Sequence, residues 1–390
     1  MAKALNSTGS LAQPLSLVRS LHSVQMLRLV LGYAAMFGAL VFLLGTSWDI
    51  QWHNYIGRDR TLIPPHIMML CGVALSGLAG LTAIIIESVW ARRSSVVAQS
   101  STRFADIFYG PLGAYVLGFA ALTAAIAFPL DSYWHALYGI DVAIWAPFHI
   151  MFGFGMGAVG LGAVYVLASA ANIAKKRDDK KATRWANLGV VLSFGVMMSI
   201  FTLLLFDSIE TRNFINLGFT QVGLFALLAG VMVTTTLVAA VQVVPWRWAA
   251  TSVVGCYLAF AVLMALLVQP ATDYLLTLER LTYRRSHPVT SIVALEWFLA
   301  PLIVAIVIDV VTRIARRKAW PARKLTTAYI LIGLIGTIPM PAIYPIYSFY
   351  IYELFGIASI LFSLLLGVVG TTLGTWFGQN AGASLAEIER

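Results

Sequence analysis

Ten long apolar runs, separated by short polar segments, leave this chain few ways to fold. They cover residues 24–46, 64–88, 108–129, 147–172, 185–206, 216–243, 248–270, 292–312, 325–345 and 353–377. Each reaches the roughly 20 residues that a helix needs to cross hydrocarbon. A backbone inside a bilayer must satisfy its own hydrogen bonds, so every run predicts a helix. Composition agrees: 59% of the 390 residues are hydrophobic and 11% are charged, against about 25% charged in soluble domains. The expected fold is an all-α integral membrane bundle of about ten helices. The first 23 residues are polar and rich in Ser and Leu, and no small-residue cleavage site follows a short apolar core. The first run therefore predicts a retained helix rather than a signal peptide. Cys71 and Cys256 lie inside runs, where they are small apolar fillers.

Charge orients the bundle. With the N-terminus inside, 20 of the 26 Lys and Arg residues fall on inner segments, and Arg58, Arg60, Arg212, Arg280, Arg284 and Arg285 fall outside. The positive-inside rule then predicts N-in, C-in topology, and the expected location is a bacterial or archaeal cytoplasmic membrane. The net charge of +9 needs no nucleic-acid partner, and the cluster Lys175–Arg184 reads as an anchor beside anionic lipid.

Two outer segments repeat one pattern. Asp49, Trp52 and His53, then Gly57, Asp59, Pro65 and His66, are echoed by Asp131, Trp134 and His135, then Gly139, Asp141, Pro147 and His149. Four of the chain's six histidines occupy matching places. Asp and His four residues apart project from one face of a helical turn that prolongs the preceding run. The third member of each set follows a proline, which suits the first turn of a returning helix. Each hairpin thus predicts a site of two imidazoles and one carboxylate: Asp49, His53 and His66, and Asp131, His135 and His149. Imidazole suits copper, zinc, iron and nickel, and the affinity order favours copper. Three protein ligands leave coordination positions open, as a catalytic metal requires.

Blander readings compete. A histidine at a membrane interface is commonly a hydrogen-bonded surface residue, and Trp52 and Trp134 fit an aromatic belt as well as a role behind the ligands. Asp59 and Asp141 fit orientation of an imidazole, or pairing with Arg58 or Arg60, better than ligation. His22 and His287 stand outside the pattern, and Met68, Met69 and Met151 read as packing. Asp309 is expected to pair with Arg313 one turn on.

At these residues the chain resembles the C subunit of the copper membrane monooxygenases, the particulate methane and ammonia monooxygenases. That subunit carries one site spaced Asp-x3-His-x12-His, matched by Asp49, His53 and His66, and a second spaced Asn-x3-His-x13-His, matched by Asp131, His135 and His149. Asp131 replaces the family's amide and adds a negative charge. The resemblance covers residues 24–172. It implies one or two copper ions, a small apolar substrate, dioxygen, and electrons from a quinol or other redox partner. It also implies partner subunits, one of membrane helices and one bearing a cupredoxin-like portion, for which this chain has no signature of its own.

Residues 1–172 thus form a metal-binding half of repeated hairpins, and residues 173–390 a further six-helix half of unassigned role. Three functions fit: a copper-dependent monooxygenase, a non-enzymatic copper-binding or copper-transport membrane protein, and a proton-coupled transporter in which Asp and His relay protons.

Overall fold

The computed structural model describes residues 15–56, 61–139, 145–210, 214–284, 297, 299–337 and 356–390, with backbone alone at 15–19, 206–210, 214, 221 and 356. Eleven helices lie among them: α1 (Leu15–Tyr55), α2 (Pro64–Ala91), α3 (Ser95–Ser100), α4 (Leu112–Tyr138), α5 (Pro147–Lys176), α6 (Lys180–Glu210), α7 (Phe225–Val243), α8 (Ala249–Glu279), α9 (Leu299–Arg317), α10 (Ala322–Ile335) and α11 (Gly356–Glu387). Eight of them, α1, α2, α4 to α8 and α11, are long and apolar enough to cross a membrane. The protein is therefore a multi-pass helical membrane protein. The two remaining expected runs coincide with α9, whose apolar stretch is interrupted by Asp309, Arg313 and Arg316, and with α10, which has 14 residues.

Two expected boundaries shift. Residues 108–110 and 216–223, assigned above to the third and sixth runs, take part in short antiparallel hairpins: β1 (Thr102–Phe104) with β2 (Phe108–Gly110), and β3 (Phe214–Asn216) with β4 (Gln221–Gly223). Local chemistry decides this. Pro111 has no N–H to give a ladder, and it stands at the N-cap of α4. In the second hairpin Gly218 takes φ of 85°, and its N–H donates to Asn216 Oδ1 at 2.8 Å, a turn geometry that glycine reaches without strain.

Close approach shapes the two ligand hairpins. Where α1 meets α2, a Cβ on Gly72 would sit 2.5 Å from the Gly38 carbonyl oxygen. Where α4 meets α5, a Cβ on Gly162 would sit 2.9 Å from the Leu117 nitrogen. Small residues let helix backbones touch in lipid, where no hydrophobic force draws helices together. Each returning helix is thereby held close to its predecessor along much of its length.

The second half of the chain buttresses the first. Trp52, Ile56, Ile63, Leu275 and Leu276 form one buried cluster that fixes the end of α1 to α8. Thr272 donates to Gln51 at 3.2 Å, and the Arg284 N–H donates to the Tyr55 carbonyl at 2.8 Å. The expected Asp309–Arg313 side-chain pair does not form. Asp309 instead accepts from the Ala250 and Thr251 N–H groups at 3.1 and 2.9 Å and from the Thr251 hydroxyl at 2.7 Å. The first N–H groups of a helix lack intrahelical acceptors, and a buried carboxylate meets that need directly. Arg313 lies over the Trp248 ring at 4.2 Å.

Candidate metal centres

Helix ends build both centres. Asp49 and His53 occupy the last two turns of α1, and His66 is the third residue of α2. Asp131 and His135 lie in the last two turns of α4, and His149 is the third residue of α5. Prolines open both returning helices, so each begins abruptly and carries its histidine back to the preceding helix end.

In the first centre Asp49 Oδ1 lies 3.4 Å from His53 Nε2 and 3.0 Å from His66 Nε2. In the second, Asp131 lies 3.3 Å from the Nε2 of both His135 and His149, through different carboxylate oxygens. In each triad one ligand atom per residue lies within 4.8 Å of the other two, an arrangement able to hold a metal ion. Bonds of about 2.0–2.2 Å to a common ion would put neighbouring ligand atoms about 3 Å apart, which is what the carboxylate–imidazole distances give.

Proton placement strengthens the fit. His66 Nδ1 faces the Thr61 carbonyl at 3.2 Å, and His135 Nδ1 faces the Gly139 carbonyl at 3.1 Å. A carbonyl only accepts, so Nδ1 carries the hydrogen in both rings, and the neutral ring then turns an Nε2 lone pair toward the carboxylate. Lone pair against carboxylate is repulsive until a proton or a cation sits between them. Backbone carbonyls holding the far nitrogen of a ligand imidazole are the usual support of such a site. All six side chains keep 14–25% exposure, while the oxygens Asp49 Oδ1 and Asp131 Oδ1 that face the imidazoles are themselves buried.

An aromatic wall joins the two centres. The His66 ring meets Phe128 edge-on at 5.9 Å, and Phe128 stands one turn before Asp131 on α4. Phe128 meets Phe152 at 6.3 Å, Phe152 meets Phe42 at 6.2 Å, and Phe152 stands one turn after His149. The centres are thus neighbours at one end of the bundle, backed by three rings.

The supporting residues read from the sequence divide. Trp52 is buried in the α1–α8 cluster, whereas Trp134 meets Tyr138 at 4.4 Å with the rings tilted 44° and meets Phe148 edge-on at 5.9 Å. Equivalent tryptophans therefore lock their hairpins through different neighbours. Asp59, Asp141 and His287 lie outside the described residues. His22 faces Arg177 at 2.9 Å, away from both triads. The Thr61 and Gly139 carbonyls and the phenylalanine wall were not read from the sequence. Gly139 alone left a trace, as a matched glycine in the repeat.

Fold and site together define a multi-pass helical membrane protein with two Asp/His/His clusters able to bind metal. The chain matches no family model, no curated protein and no solved structure.

The charge at Asp131 has a measurable consequence. Asp131→Asn keeps the shape of the side chain and removes its attraction for a cation. It should weaken Cu(II) at the second centre by about 10- to 100-fold, the range typical of tuning groups around a metal. Cu(I), with half the charge, should lose less. Competition titrations with both ions measure this, and equal affinities in parent and variant would remove Asp131 from the coordination sphere.

Proposed function

We propose that this chain is a copper protein of the membrane-monooxygenase type, hydroxylating a small apolar substrate with dioxygen. The observation that carries the reading is the duplicated Asp/His/His triad, each set built from a helix end and a proline-led return, in the order and spacing of the C subunit described above. Copper, when bound, would supply the one-electron redox chemistry by which dioxygen attacks a C–H bond. The residues supply the rest. Asp49 and Asp131 give each site negative charge, and the Thr61 and Gly139 carbonyls keep one imidazole of each site in the ligating tautomer. Phe42, Phe128 and Phe152 back the site with a packed apolar wall that excludes water from that side. In the overall reaction one oxygen atom enters the substrate and the other leaves as water, with two electrons and two protons from a quinol or other redox partner. A cupredoxin-like or further membrane subunit would complete the assembly.

One observation favours metal handling instead. The 14–25% exposure of the ligand side chains suits an ion that is passed on as well as one that stays. Purified protein in lipid, supplied with copper, quinol and a short alkane, separates the two. Dioxygen uptake matched by alcohol supports the enzyme, and retained copper without either supports a carrier or loading factor.

The proposal includes ten crossings, counting α9 and α10, with both termini inside the cytoplasmic membrane of a bacterium or archaeon. Both centres then open toward the outer face. Leu62, 66% exposed between α1 and α2, should as Leu62→Cys react with an impermeant thiol reagent added to intact cells. Lys181→Cys, at the start of α6, should stay unlabelled. The reverse pattern would invert the topology.

A further inference from the structure

At the opposite end of α5 from His149, the turn into α6 borders a cavity of about 260 Å3 lined by Lys175, Asp178, Lys180, Thr183, Arg184, Asn187 and Trp246. Thirty residues of α5 put the two ends about 45 Å apart, so this cavity is independent of the metal centres.

The six cations between Lys175 and Arg184 do not behave alike. Lys176 pairs with Glu389, and Arg177 is held by His22 and Gln25. Lys175, Lys180 and Arg184 all line the cavity, and among the described residues none of the three is ion-paired. Asp179 does not line the cavity and, among the described residues, pairs with none of the three. Its carboxylate accepts from the Ala182 N–H at 3.0 Å to cap α6, and that bond holds its carboxyl below the usual range. The cavity lining itself thus carries one carboxylate, Asp178, against three cations.

The floor is polar. Asn187 is 95% buried, since 5% of its surface is exposed, and it stands one turn below Thr183 and Arg184 on α6. Its amide lines the cavity without a hydrogen-bond partner in the protein. It is open to the cavity and can bond to whatever occupies it. Amide N–H groups beneath converging Lys and Arg side chains suit the oxygens of a phosphate.

Depth points to the source. Trp246 closes one side of the cavity, Trp185 is 50% exposed beside Arg184, and Trp248 is 40% exposed near by in the chain. Tryptophans gather where headgroups meet hydrocarbon, and basic pockets at that level hold anionic headgroups.

We propose that this cavity binds the phosphate headgroup of an anionic glycerophospholipid, with Lys175, Lys180 and Arg184 around the phosphate and Asn187 beneath it. The acyl chains leave past Trp185 into the bilayer. The intact protein in detergent can be titrated with short-chain phosphatidylglycerol, with the matching phosphatidylcholine and with inorganic phosphate, bound lipid being counted by native mass spectrometry. Phosphatidylglycerol should bind more tightly than phosphatidylcholine, and inorganic phosphate at equal concentration should not displace it. Lys175→Gln and Arg184→Gln should each weaken phosphatidylglycerol about fivefold, and Asn187→Ala should weaken it without altering surface charge. Arg317→Gln with Lys318→Gln, at the end of α9, should leave binding unchanged. Equal binding in parent and cavity variants overturns the proposal, as does an equal loss in the α9 control. Displacement by inorganic phosphate would make the ligand a soluble anion and overturn the lipid assignment.

Discussion

Purified protein carrying both His53→Ala and His135→Ala should hold almost no bound metal, and each single change should remove about one equivalent. The reasoning starts from ligand count. Each triad offers three protein ligands, and loss of one imidazole leaves one nitrogen and one carboxylate, too few to hold an ion against water and buffer. The two centres have no ligand residue in common, so the single losses should add. Neither alanine disturbs a core packing residue: His53 and His135 sit at partly exposed helix ends, and alanine is the best helix former. Elemental analysis of parent, single and double variants measures the result, with circular dichroism as the check on folding. Unchanged metal in a folded double variant would place the metal elsewhere. Loss of both equivalents in one single variant would mean a shared site rather than two.

The triads were legible because their geometry is local. Asp49 and His53 lie one helical turn apart, so spacing alone puts them on one face, and Pro65 and Pro147 announce where the returning helix starts. What joins the centres was not legible. Phe128 and His66 are 62 positions apart, and nothing in an apolar run tells which of its rings faces another helix. The same blindness covered the ends of runs. Residues 108–110 and 216–223 adjoin apolar runs, yet turns at Ala105–Asp106 and at Gly218 fold them into hairpins, and α4 begins only after Pro111. Composition found the membrane, whereas partners between helices had to come from the structure. Asp309 shows this at one residue: the cation four positions on was the obvious partner, and two backbone N–H groups of α8 took the carboxylate instead. Arg28 shows it more sharply. Counting charges made it one of many inner cations, and it proves to be wholly buried against Glu87 of α2.

That ion pair carries the second large expected effect. Arg28 donates from Nε and Nη2 to the two Glu87 oxygens at 2.7 and 2.6 Å, from Nη1 to Ser169 at 2.6 Å and to the Glu389 carbonyl, and from Nη2 to the Ser100 carbonyl at 2.9 Å. Ser101 completes the carboxylate at 2.7 Å. One guanidinium therefore ties together α1, α2, α5 and the segment after α11, and neither charge sees solvent. Removing one partner strands the other in a low dielectric, so Glu87→Gln should cost about 3–5 kcal/mol. Replacing both by apolar residues removes the stranded charge, and Arg28→Met with Glu87→Leu should recover most of that loss. Thermal unfolding of the detergent-solubilised protein, followed by tryptophan fluorescence, reads both variants. A double variant as unstable as Glu87→Gln would mean that the hydrogen bonds to Ser169, Ser100 and Glu389 hold the helices, and that compensation of charge is secondary.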